Sequence, residues 1–116
     1  MEDQSERKLS WDDFTKVEMR VGTVIHAEVF QEARNKAYKI HIDFGEFGIR
    51  KTSAQITKLY SADEIIGKQV IAVINFPAKQ ISTFMSECLI LGAVGDNKEV
   101  TLIGPERKTK NGLRIA

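Results

Sequence analysis

The chain has one cysteine among its 116 residues, so an internal disulfide is impossible and a reducing compartment is expected. Cys88 lies between Glu87 and Leu89 at the start of an apolar run, where it reads as a small buried hydrophobe rather than a nucleophile. No apolar run approaches the roughly 20 residues needed to span a bilayer, so no membrane insertion is expected. Residues 1–8 are polar and charged with no apolar h-region, which argues against a secretory signal and for a cytoplasmic protein. Also missing are a Gly-rich phosphate loop, metal-ligand spacing, and any Cys/His or Ser/His arrangement with a supporting acid. An enzyme is therefore not expected, and no catalytic residue, metal ligand or cofactor is assigned.

Charge of one sign is equally scarce. The net charge is +1, but residues 1–18 carry six acids against three bases, and the rest of the chain carries 14 bases against 10 acids. A mildly basic body behind an acidic head permits an anionic partner without demanding one, because a dedicated nucleic-acid binder shows a clearer electrostatic footprint. With 42% hydrophobic and 28% charged residues, the composition is that of a soluble globular protein, and the length suits one domain with a real core. A flexible N-terminal arm is expected over 1–10, followed by a folded domain over 11–116. Residues 1–8 have too little apolar surface to offset the entropy of ordering them.

The first element follows at once. Ser10 three residues before Asp13 forms a capping box, and Leu9 is placed to staple onto Phe14. Trp11, Phe14 and Val17 then mark one face of a helix of about two turns, expected to plug the core or a subunit interface. From Val21 to Phe44 the period changes to two. With Gln31 to Lys36 as the loop, antiparallel pairing sets Val29 opposite Tyr38, Ala27 opposite Ile40, Ile25 opposite Ile42 and Thr23 opposite Phe44. A one-residue bulge would shift that register. The other face pairs Glu28 with Lys39 and His26 with His41, a solvated side; with no third ligand the two imidazoles do not make a metal site.

After the turn Gly45-Glu46-Phe47-Gly48 comes a third strand, Ile49 to Ser53. Ser61 with Glu64 forms a second capping box, Ile65 and Ile66 supply an apolar patch, and Gly67 stands at a C-terminal cap, so a short helix separates strands three and four. Strands four (Gln69 to Ile74) and five (Cys88 to Leu91) are apolar on both faces and are expected to be buried on both sides. The polar tip Gly95-Asp96-Asn97-Lys98 leads to a further strand, Val100 to Ile103. Turn signals at Gly104-Pro105 and Asn111-Gly112 frame a basic C-terminal extension with Arg107, Lys108, Lys110 and Arg114. Strand-strand-strand-helix-strand-strand is the order of a mainly β, five-stranded OB-fold barrel, here with additions at both ends.

Between strands four and five lies the segment around which the chain is organised, a polar loop from Asn75 to Ser86. Pro77 fixes its own φ and biases Phe76 toward an extended path. Such a loop combines hydrogen-bonding groups, stacking surface and charge on a rigid scaffold, where binding groups concentrate. The same spacing also allows both phenylalanines to tuck into the core.

Val21-Gly22-Thr23-Val24, Glu32-Ala33-Arg34, Lys39-Ile40-His41-Ile42-Asp43-Phe44-Gly45, Ser53-Ala54-Gln55-Ile56-Thr57 and Asn75-Phe76-Pro77 through Phe84-Met85-Ser86-Glu87 together resemble the CsaA family. That family belongs to the tRNA-binding-domain superfamily, and the resemblance covers about residues 11–116. It implies an OB fold whose terminal extensions join two subunits into a homodimer, and a protein-secretion chaperone that binds unfolded or export-competent polypeptides such as preproteins. The wider superfamily implies tRNA, bound by shape, as the alternative partner. Carried over residue by residue, the polypeptide site is Ser53, Gln55, Asn75, Phe76, Phe84, Met85 and Ser86. Phe76, Phe84 and Met85 would supply apolar contacts, and Asn75, Ser53 and Ser86 would bond the peptide backbone. The phosphate-contacting residues of the tRNA alternative are Arg34, Lys36, Lys51 and Lys79, with the Lys108/Lys110 tail as a further candidate contact. This chain has Ala78-Lys79-Gln80 where many members carry Pro-Arg-Arg or Pro-Arg-Gln, so a point charge replaces a bidentate donor.

Overall fold

A computed structural model describes residues 7–116; of the arm expected at the N-terminus, residues 1–6 lie outside the described residues. The elements are α1 (Trp11–Lys16), β1 (Met19–Val29), β2 (Tyr38–Asp43), β3 (Ile49–Ala54), α2 (Ala62–Ile65), β4 (Gln69–Val73), β5 (Lys79–Ile81), β6 (Phe84–Ser86), β7 (Leu89–Ile90), β8 (Gly92–Val94) and β9 (Val100–Leu102). Five strands form an antiparallel sheet in the order β3-β2-β1-β4-β7, curled into a nearly closed barrel, while β5–β6 and β8–β9 are separate hairpins. The mainly β barrel with a short N-terminal helix and a second small helix is the architecture that the alternating runs and capping boxes foretold.

β1 serves both halves of the barrel because it is long and kinked. Its N-terminal half pairs with β4 and its C-terminal half with β2, and the register against β2 shifts between Val24 and His26. Val29, Ala27, Glu28 and His26 meet Tyr38, Ile40, Lys39 and His41 as expected. Beyond the bulge, Val24 rather than Ile25 faces Ile42, and Thr23 faces Asp43 rather than Phe44. Ile25 is the extra residue and turns outward, 44% exposed. Gly22 permits the tight curl that follows, since a Cβ there would sit 2.5 Å from Ile42 Cγ2 and 2.7 Å from the Phe44 ring.

The core is built by Val24, Ile40, Ile42, Phe44, Val70 and Ala72 from the strands and by Ile65 of α2, which stoppers one end. In α2 both halves of the Ser61/Glu64 capping box form, and Gly67 leaves the helix at φ +91, where its N–H donates to Val24 O at 2.7 Å. Ile66 faces solvent, so only half of the expected apolar patch is used. β4 is buried on both faces, as expected. β7 is not: Ile90 packs toward the core, but Leu89 is 48% exposed and lies at the wall of an open hollow.

Both terminal extensions depart from a plain barrel. The C-terminal segment lies along β1, with Val21 N–H donating to Leu113 O and Ile115 N–H to Met19 O. In α1, Ser10 Oγ accepts from Asp13 N–H at 3.0 Å, but the Asp13 carboxylate pairs with Lys16 instead of returning to the cap. Nor does α1 plug this chain's core. It buries no residue and Trp11 is 84% exposed, because a helix of six residues tethered at its C-terminal end stands off the barrel. No helix among the described residues is long and apolar enough to cross a membrane.

Candidate binding cleft

The barrel is completed at one seam by one backbone bond and several side-chain bonds rather than by a strand ladder. Where β3 approaches the chain leaving β6, Glu87 N–H donates to Lys51 O at 2.7 Å, and Lys51 N–H donates to Glu87 Oε1 at 3.0 Å. Thr52 Oγ1 donates to Cys88 O at 2.8 Å, and Ser86 Oγ accepts from Ser53 N–H at 3.2 Å. Only the Thr52–Cys88 bond is fully buried, and the others are partly open to the cleft; losing the buried one would leave the Cys88 carbonyl without a partner.

The segment 75–86 is a hairpin rather than an open loop. Lys79 pairs with Ser86, Gln80 with Met85 and Ile81 with Phe84, across a turn in which Ser82 has φ +56. The alternation points Ile81, Phe84 and Ser86 inward, leaving Met85 and Gln80 on the outer side. Phe84 is 8% exposed and meets Phe30 edge to face, with ring centroids 5.4 Å apart. Two ammonium groups sit against its ring, Lys51 Nζ at 5.3 Å and Lys39 Nζ at 5.6 Å. Lys39 also bonds Glu32 at 3.4 Å, not the expected Glu28. A backbone hydrogen bond at Glu32, and then Lys39, hold that carboxyl below its ordinary range.

Between hairpin and seam runs a cleft of about 330 Å³, walled by Phe76, Pro77 and Leu89 and floored by Ser53, Ser86 and Cys88, with Lys79 and Ile81 at its rim. Phe76 is 56% exposed. Past Ser53 and Leu89 the depression continues as a second hollow of about 290 Å³ along Gln55, Ile56 and Val94. At Gln55 it opens into a third, of about 470 Å³, beside Lys36, Lys58 and Lys98. The three hollows adjoin through these shared residues, the one at the hairpin end apolar and the last one cationic. A larger concavity of about 640 Å³ lies elsewhere, against the C-terminal extension; Lys108 of the basic tail lines it, and none of the residues expected in the cleft do.

The structure thus sorts the expected residues. Ser53, Phe76 and Ser86 meet in the cleft with Lys79, and Gln55 lies further along the groove. Asn75 is committed elsewhere: its Oδ1 accepts from Glu18 N–H at 3.0 Å and its Nδ2 donates to Lys16 O at 2.6 Å, which anchors α1. Phe84 supports the hairpin from beneath, and Met85 lies outside the cleft. Arg34 and Lys36 share a hollow beside the β1–β2 loop, while Lys51 is under the Phe84 ring. Pro77, Cys88 and Leu89 are missed as site residues by sequence reasoning, although Pro77 stands in the segment between strands four and five and the other two open strand five. Burial pushes the Cys88 thiol up to about 12, so it remains protonated and is part of the floor.

Among the described residues no group of three His, Cys, Asp or Glu could hold a metal, and the site is a set of adjoining hollows on one face of an OB-type barrel. The model of the putative tRNA binding domain family matches residues 19–114. The crystal structure of chaperone CsaA from Bacillus anthracis str. Ames is similar with TM-score 0.90 and 45% identity, over 94% of this chain and 99% of that one. CsaA chaperone protein from Picrophilus torridus is similar with TM-score 0.88 and 44% identity, over 94% of this chain and 100% of the other. The methionine–tRNA ligase of Leptospira biflexa is 36% identical over 101 residues, which is 87% of this chain but only 14% of the ligase. The chain belongs to the CsaA family within the tRNA-binding-domain superfamily.

Proposed function

We propose that this protein is a cytoplasmic chaperone that binds unfolded or export-competent polypeptide in the cleft between the β5–β6 hairpin and the β3 seam, without catalytic turnover. The observation that carries this reading is the exposed apolar wall of Phe76, Pro77 and Leu89 facing a floor with serine hydroxyls. Apolar contacts of this kind accept varied side chains, and nearby hydroxyls serve any peptide backbone. In this reading the contact surface is Phe76 and Leu89, while Phe84 and Asn75 hold the surface in place. The uncovered apolar residues of the extensions, Trp11, Val17 and Leu113, with Ile25 of the bulge, suit burial against a second copy. Two clefts in a homodimer would raise avidity for a long chain.

tRNA is the second reading, favoured by the description of the matched family and by Arg34, Lys36, Lys51 and Lys79 around the hairpin. One set of titrations separates the two. Labelled unfolded polypeptide and labelled bulk tRNA are each followed by fluorescence anisotropy across a salt series, with light scattering on the same sample for the mass. The chaperone reading expects polypeptide binding that survives high salt and is weakened roughly tenfold in Phe76→Ala, with unchanged thermal stability. Tight tRNA binding with a steep salt slope and no polypeptide signal would replace it. A monomeric mass would remove the dimer.

A further inference from the structure

The cationic hollow is not used by the polypeptide reading. Lys36 comes from the β1–β2 loop, Lys58 from the loop after β3 and Lys98 from the tip of the β8–β9 hairpin, yet all three line one cleft of about 470 Å³ with Gln55 and Thr57. Among the described residues none of the three forms an ion pair. Like charges converge here without a carboxylate between them, although a soluble surface ordinarily intersperses the two signs.

The arrangement is also braced. Lys58 Nζ donates to Asn97 O, fastening the hairpin tip to the loop after β3. Within the tip, Asn97 N–H donates to Glu99 Oε1 at 2.9 Å and Lys98 N–H to Gly95 O at 3.0 Å. Lys98 takes φ +64, a left-handed backbone that a residue with a Cβ adopts reluctantly, so local structure fixes where its side chain leaves the tip. The cleft shares Gln55 with the middle hollow, which in turn shares Ser53 and Leu89 with the apolar cleft. An extended chain lying against Phe76 therefore reaches the lysines.

Building on the polypeptide reading, we infer that this end of the groove is a carboxylate subsite, selecting clients with aspartate or glutamate beside their apolar segment. An isolated carboxylate fits better than a run of phosphates. Asp96 and Glu99 belong to the same hairpin tip and would repel a polyanion that continued past the cleft, whereas a single carboxylate meets only the lysines.

The test uses the full-length protein and two fluorescein-labelled, end-capped peptides with one shared apolar segment, followed by a pair of glutamates or a pair of glutamines. The glutamate peptide should bind roughly three- to tenfold more tightly at low salt, and the preference should vanish near 1 M salt. Lys36→Gln with Lys98→Asn should abolish the preference while leaving the glutamine peptide's affinity unchanged; asparagine tolerates the left-handed backbone at the second position. Equal affinities for the two peptides would overturn the subsite and leave the apolar cleft standing. If neither peptide binds, the polypeptide reading falls and the subsite with it. If bulk tRNA binds through these lysines and the peptides do not discriminate, the subsite is a phosphate site and the inference is wrong.

Discussion

In the barrel core, Ile40, Ile42, Phe44 and Ile65 have no exposed surface, and strand ladders close around them on every side but one. Beneath the β5–β6 hairpin, Phe30, Ala37 and Phe84 form a much smaller cluster, packed against Ala33 and Ile81 and flanked by the ammonium groups of Lys39 and Lys51. Aliphatic and aromatic side chains fill both, but the restraints differ. The core is fixed by many mutually supporting contacts, whereas the hairpin rests on one aromatic pair and on the side-chain bonds of the seam. Binding surfaces are commonly drawn from the less stable parts of a fold, and the cleft lies on the hairpin side of this division.

Removing a large side chain from each region tests that contrast most strongly. Phe44→Ala should cost about 3–5 kcal/mol in urea unfolding, because the cavity is walled by β1, β2 and the closely approaching Gly22 and cannot collapse. A loss below about 1 kcal/mol would mean that the core relaxes as easily as the surface. Phe84→Ala should cost less, about 1–2 kcal/mol, since the site is near solvent and the hairpin can settle onto the sheet. Its signature is local: amides of residues 79–86 should lose protection from hydrogen exchange while those of β1 and β4 keep theirs. Polypeptide affinity should fall as well, although Phe84 does not wall the cleft. Uniform loss of protection would show that hairpin and core unfold as one unit.

That division was only partly legible in the sequence. Period-two alternation gave the barrel strands, because one face of each is buried, and the Ser61/Glu64 box gave α2 from purely local chemistry. The bulge at Ile25 was not placed, since Ile25 is as apolar as its neighbours and only the curvature demanded by Gly22 decides which residue turns out. The hairpin in 75–86 reads as a loop in sequence because its strands are three residues each and its turn, Ser82-Thr83, lacks the Asn-Gly or Gly signal that marks such turns. The roles within the site depended on partners far along the chain. Nothing local to Asn75 says that its amide is taken by Lys16 and Glu18, and nothing local to Phe84 says that Phe30 covers it. The exposed face of α1 reads as a packing face in sequence and has nothing to pack on among the described residues.

Cys88 lies where the two regions meet, and it gives the smallest expected change in stability together with the finest test of the boundary. Its side chain belongs to the core cluster and also floors the cleft, and its Sγ lies 3.8 Å from Lys51 O. Burial raises the thiol from an ordinary value of 9.0 to about 12, with the neighbouring Arg50 charge opposing the rise. The folded state therefore holds its proton above pH 9 when the unfolded chain has lost it, so stability is fully present below pH 9 and declines as pH rises from 9.0 toward 12. Cys88→Ala should remove that part of the alkaline decline and change stability little near neutral pH. At pH 8 the thiolate fraction, and with it the rate of alkylation by iodoacetamide, should be about a thousandfold below that of an unfolded control. The rate in Phe84→Ala then locates Cys88. It should stay low, because Thr52 and Lys51 hold the segment from β3 whether or not the hairpin is seated. A thiol that became reactive in that variant would belong to the hairpin, and the boundary would have to be redrawn on the core side of the seam.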